Sequence, residues 1–128
     1  MIIFYLVNGE KIMKEKCDFY KNRKIIAKGV KYCRSFSSKV LGLMFVSSPE
    51  QGAFLPDVKD IHMNFVRFEL RVIWLDKNFK VVHQTIARKW RLYNGPEEAQ
   101  HVLELPVDKK YDIKVGDKLE IKTYENKK

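Results

Sequence analysis

The stretch Val66-Arg67-Phe68-Glu69-Leu70-Arg71-Val72-Ile73-Trp74-Leu75-Asp76 decides the fold class. Val66, Phe68, Leu70, Val72 and Trp74 alternate with Arg67, Glu69 and Arg71, the two-residue period of a β-strand with one buried and one wet face. From Ile73 to Leu75 the alternation stops and both faces turn apolar, so that end of the strand is expected to be covered on both sides. Asp76-Lys77-Asn78 then turns the chain, and Val81 to Ile86 returns as a hairpin partner.

Outward from this hairpin the pattern stays rich in strands. Ile2 to Val7 reads as a strand closed by Asn8-Gly9, a two-residue hairpin signal that places a partner strand near Lys11. Asn22-Arg23-Lys24 interrupts the next stretch, and Lys24 to Tyr32 reads as another strand with Gly29 as its candidate bulge. Ser35 to Phe45 breaks the period: Phe36, Val40, Leu43 and Met44 fall on one helical stripe, with Ser35 as N-cap and Gly42 marking a close approach. Ser47 to Lys59 holds Pro49, Gly52 and Pro56 and reads as a loop around Ala53-Phe54-Leu55. Trp90 to Pro96 reads as a second loop, Gln100 to Leu105 and Leu119 to Thr123 as strands, and Gly116-Asp117 as a turn. Short strands between turn signals, without strand–helix–strand alternation, predict a mainly β fold: a compact antiparallel β-sandwich or barrel with one short helix packed against it.

A chain of 128 residues with 45% apolar composition is expected to be a single domain, 1–128, rather than a disordered tail. No apolar run approaches the roughly 20 residues that span a bilayer. Met1 to Val7 lacks the basic segment and small-residue cleavage site of a signal peptide, so a cytoplasmic protein with no membrane partner is expected. Cys17 and Cys33 lie too far apart for a Cys-x-x-Cys pair and are expected to be reduced and structural. The net charge of +9, from 25 basic and 16 acidic residues, would attract phosphates. Its lysines are dispersed among acids, however, and a solvated surface is the plainer reading.

Several motifs stand in order along the chain: Gly42-Leu43-Met44-Phe45; Ile61-His62-Met63-Asn64-Phe65; Trp74-Leu75-Asp76; His101-Val102-Leu103-Glu104-Leu105; and Gly116-Asp117. Together, over about residues 35–121, they resemble the domain of unknown function 192 family. The departures are polar: His62 stands where the family has Trp, and Arg71 replaces an acidic residue. The resemblance implies a compact, mostly antiparallel β-domain with one short helix, in an uncharacterised family. It implies no catalytic residues.

Catalytic and metal chemistry find little footing. His62, His83 and His101 share no ligand spacing, so no metal and no cofactor are expected. None of the serines sits in a Gly-x-Ser-x-Gly elbow. Glu69 and Glu104 are the strand carboxylates that could act as acid and base; salt bridging to Arg67 or Arg71, and a place on a polar strand face, are their plainer roles. Arg88-Lys89-Trp90-Arg91-Leu92-Tyr93 is different, because it mixes cations with two aromatics in a predicted loop. Trp and Tyr stack on flat groups and Arg grips phosphate or carboxylate; the bland alternative has Trp90 plugging the end of a barrel. The expectation is a non-catalytic binding domain for a small anionic ligand or peptide. Its expected ligand-binding residues are His62, Asn64, Arg71, Arg88, Trp90 and Tyr93. The alternative is a nucleic-acid-binding protein using its basic surface. Burial of Trp90 with His62 on the opposite side would defeat the ligand reading.

Overall fold

The computed structural model describes residues 6–7, 10–11, 14–34 and 48–126. Its strands are β1 (Leu6–Val7), β2 (Glu10–Lys11), β3 (Lys14–Lys21), β4 (Lys24–Tyr32), β5 (Ala53–Leu55), β6 (Asp60–His62), β7 (Leu70–Leu75), β8 (Val81–Ala87), β9 (Leu92–Asn94), β10 (His101–Pro106) and β11 (Glu120–Asn126). The fold is mainly β, and the helix predicted over residues 35–45 lies outside the described residues. β1 and β2 pair with Val7 opposite Glu10, the register that the Asn8-Gly9 signal predicts. β6 and β9 form a second two-stranded sheet. The others make a seven-stranded sheet in the order β11-β3-β4-β5-β10-β7-β8.

That sheet is mixed, where the sequence pattern predicts an antiparallel one. β4 and β5 run parallel, with Lys31 beside Ala53 and Tyr32 beside Phe54. Ala53–Leu55, which reads as the apolar part of a loop, is a fully buried strand near the middle of the sheet. A parallel neighbour requires a crossover of about a dozen residues or more, and the connection over residues 33–52 has that length.

The long alternation also pairs later than it begins. β7 starts at Leu70, not Val66, because Leu70 stands opposite Pro106 and Ala87, the last residues of β10 and β8. Pro106 has no N–H with which to extend the ladder, so Val66 to Glu69 meets no strand. Just before, Phe65 takes a left-handed backbone (φ 62°) and the Val66 N–H donates to the Met63 carbonyl at 3.3 Å, turning the chain.

From Leu70 onward both faces are covered, as the apolar run predicts. Leu70, Val72 and Trp74 join Ala53, Leu55, Met63 and Val102 in one apolar cluster, beneath the β6–β9 sheet. Ile73 and Leu75 join Phe19, Phe54, Leu103 and Leu105 in the other. The large sheet rolls around this second cluster until its first and last strands meet at one corner. There the Val81 N–H donates to the Asp117 carbonyl at 2.8 Å, the Leu119 N–H to the Phe79 carbonyl at 2.9 Å, and Lys80 bridges Lys118. Among the described residues no ladder carries this contact along the edges, so the roll stops short of a closed barrel.

Gly29 marks the predicted bulge. Between the pairs Cys17–Val30 and Phe19–Ala27, Asp18 alone faces Lys28 and Gly29. Gly29 has φ 70°, and its N–H, turned out of the ladder, donates to Asp18 Oδ1 at 2.8 Å. The Tyr124 hydroxyl donates to the same oxygen at 3.2 Å, which satisfies a buried carboxylate. Among the described residues no helix is long and apolar enough to cross a membrane.

Candidate binding site

The β6–β9 sheet is fixed to the core by one indole. Trp74 Nε1 donates to the Lys59 carbonyl at 2.7 Å, and the Gly95 N–H donates to the same carbonyl at 3.1 Å. A Cβ at Gly95 would run into the Trp74 indole, so only glycine lets the strand end come this close. At the other end the Met63 N–H donates to the Arg91 carbonyl at 2.8 Å. Between these bonds Asp60 faces Asn94, Ile61 faces Tyr93 and His62 faces Leu92.

Beyond this end an aromatic ledge stands in solvent. Trp90 (φ 63°) and Phe65 (φ 62°) both hold left-handed backbones, at a cost of roughly 1–2 kcal/mol each for a bulky residue. The Trp90 N–H donates to the Met63 carbonyl at 3.0 Å, and the two rings meet edge to face with centroids 4.9 Å apart. Neither ring enters the core: Trp90 is 61% exposed, Phe65 47%, and the adjacent Leu92 76%. Arg67, Arg88, Lys89 and Arg91, all exposed, flank the ledge along the chain. His62 lies across from Leu92, and its Nδ1 is buried with no hydrogen-bond partner among the described residues.

The structure therefore brings His62, Asn64, Arg88, Trp90 and Tyr93 into one region, with Trp90 exposed rather than plugging the fold. Tyr93 is the support: its ring packs on the first apolar cluster and its hydroxyl accepts the Arg88 N–H at 2.8 Å. Arg71 is placed elsewhere. On the opposite face of β7 from Trp74, its Nε donates to Gln84 Oε1 at 3.0 Å. Its Nη1 and Nη2 donate to the carbonyls of Tyr111 (3.0 Å) and Ile113 (2.6 Å), pinning that loop. Phe65 and Leu92 complete the ledge although neither is among the expected ligand-binding residues: Phe65 closes the Ile61–Phe65 motif, and Leu92 stands between Arg91 and Tyr93 in the mixed cationic and aromatic run. Trp90 to Pro96, read as loop, contains the short strand β9.

Glu104 is not on a polar face. It is 5% exposed, between Ala53 and Val72 on the side of the sheet that carries Val102, and burial pushes its carboxyl up to about 7 against the milder opposing effect of Lys31. The signal was present: Val102 to Pro106 is an unbroken apolar run apart from this one acid, which is the pattern of a strand buried on both faces. Among the described residues no group of three or more His, Cys, Asp or Glu side chains is arranged to hold a metal ion. His83 pairs with Trp74 and His101 with Leu75, so these two histidines project from opposite faces of the sheet.

The family model described as Uncharacterized ACR, the domain of unknown function 192 family, matches residues 19–121, and the chain belongs to that family. A UPF0127 protein of Thermococcus gammatolerans is 34% identical over 96 residues, 69% of this chain and 63% of the relative, so less than two thirds of that relative is spanned. A UPF0127 protein of Pyrococcus horikoshii is 34% identical over 97 residues, 70% of this chain and 84% of the relative. A crystal structure of a protein of unknown function from Novosphingobium aromaticivorans shares the fold with a TM-score of 0.63 at 21% identity, covering 89% of this chain and 88% of that one.

Proposed function

We propose that this family member is a non-catalytic binding domain that takes an anionic ligand, a small molecule or peptide with an apolar or flat group, on the ledge of Phe65, Trp90 and Leu92. The observation that carries the reading is the pair of left-handed aromatic residues, held edge to face outside the core and flanked by cations. An apolar surface of this kind gains by desolvation and stacking, by about 1–3 kcal/mol per stacked ring. Arg88 and Arg91 add charge-assisted hydrogen bonds to a carboxylate or phosphate. A reducing, cytoplasmic setting accords with the free, buried thiol of Cys17.

Trp90 supplies its own assay, because the other tryptophan, Trp74, is buried. Acidic peptides, basic peptides of the same apolar content, and a single-stranded oligonucleotide are titrated while acrylamide quenching of Trp90 is followed. Acidic peptides are expected to shield Trp90, and Trp90→Ala to weaken their binding at least tenfold. Equal binding of basic peptides, or an unaffected Trp90→Ala variant, would overturn the reading. Oligonucleotide binding that falls steeply with salt would transfer the surface to nucleic acid.

A further inference from the structure

The β6–β9 sheet has an open side. In an antiparallel ladder, residue pairs that exchange hydrogen bonds alternate with pairs whose N–H and C=O groups point away from the partner. The bonds from Met63 to Arg91 and from Gly95 to Lys59 fix which are which. Ile61 and Tyr93 then form the exchanging pair between them, and the intervening residues Leu92 and Asn94 turn their N–H and C=O groups to the outer side of β9. Among the described residues no strand pairs with that side, and both residues are exposed. Arg88, Lys89 and Arg91, exposed just before it in the chain, place positive charge at the start of the edge, while the exposed Asp60, Glu97 and Glu98 lie toward its end.

We propose that β9 is an acceptor edge for an extended acidic peptide, which adds to it as a third strand and lays an apolar side chain against Leu92 and Trp90. This rests on the ledge being the binding surface and names its ligand as a peptide in strand form. Main-chain bonds to Leu92 and Asn94 hold such a segment and set its register, and the side chains that alternate along it supply selectivity. An apolar residue opposite Leu92 covers a side chain that is 76% exposed, while acidic neighbours lie within the field of the flanking cations. The flanking charge selects against basic segments, and the short length of β9 with Pro96 beyond it limits indiscriminate pairing of the edge.

The probe is the acetylated, amidated heptapeptide Glu-Val-Glu-Leu-Glu-Val-Glu, with a series in which each backbone nitrogen in turn is methylated. Side chains and charge are unchanged in this series, so it reads main-chain bonding alone. Strand addition predicts losses of at least tenfold at positions two apart and small losses between them. On the protein side, Leu92→Pro removes the outward N–H and should lose binding tenfold relative to Leu92→Ala, with both variants keeping the parent's melting profile. If all methylated peptides bind like the parent while Trp90→Ala still abolishes binding, strand addition is overturned and the ledge reading stands. If neither the parent peptide nor any other acidic peptide shields Trp90, both fall. Failure of Leu92→Pro to fold leaves the methylation series to decide.

Discussion

Replacing Glu104 by Gln should remove a stabilisation that acid gives this protein. The carboxyl rises from its ordinary 4.5 to about 7 because Ala53, Val72 and the layer over them exclude water. At about 1.36 kcal/mol per pH unit, that rise corresponds to about 3 kcal/mol of stability tied to one proton. Its sign follows from linkage. Below pH 4.5 the carboxyl is protonated in both folded and unfolded chains, and the full stability is present. As pH rises the unfolded chain loses its proton first, so stability drains away until the folded carboxyl ionises near pH 7, and stays lower beyond. The wild type should thus gain about 3 kcal/mol from this group between pH 8 and pH 4.5, and Glu104→Gln should lack that gain. The variant should accordingly be the more stable of the two at pH 8, by as much as about 3 kcal/mol. Urea titrations followed by tryptophan fluorescence at half-unit intervals from pH 4.5 to pH 8 give the difference directly, since every other titrating group cancels. A difference that stays constant over this range would show that Glu104 ionises as an exposed carboxylate and would refute its burial.

Other outcomes are as specific. Cys17, whose thiol burial pushes up to about 12, should react with Ellman's reagent at pH 8 only after denaturation; labelling of Cys17 within minutes in the native protein would contradict its place in the core. Asp18→Ala strips the acceptor from Gly29 and Tyr124 and should cost about 1–3 kcal/mol in a denaturant melt, whereas Tyr124→Phe should cost less; equal costs would mean the bulge does not need the carboxylate. Gly52→Ala would drive a Cβ into the Glu104 carbonyl at a backbone of φ 90°, and a loss below about 1 kcal/mol in its melting analysis would mean that β5 does not sit against β10 as described.

The sequence conveyed periodicity well and pairing partners poorly. Leu70 to Leu75 declared both of its buried faces, Lys24 to Tyr32 its bounds and its glycine bulge, and Val81 to Ile86 its hairpin, because these depend on local alternation and turn chemistry. Ala53–Leu55 was hidden because three apolar residues between a glycine and a proline have no period to display. Its parallel pairing with β4 is settled by a contact across twenty residues of chain. The Val66 to Glu69 alternation was real, yet the place where its neighbours stop is written in Pro106 and Ala87, far along the sequence. At the ledge, the cations and aromatics of 88–93 were visible as a composition. What lifts Trp90 and Phe65 out of the core is a pair of left-handed backbones that no residue preference for Trp or Phe would suggest. Arg71 shows the opposite error: an arginine beside a motif is read as a ligand contact, while three acceptors on residues 84, 111 and 113 hold it on the other face.

The most direct test of the central claim is an amide and indole NMR titration of the protein with the acidic heptapeptide. Addition of the peptide to β9 beside the ledge predicts that the largest shifts fall on the Trp90 indole N–H and on the backbone N–H groups of Leu92 and Asn94, with the buried Trp74 indole unmoved. Shifts centred instead on the Lys80–Lys118 corner or the 107–115 loop, with Trp90 unchanged, would contradict it.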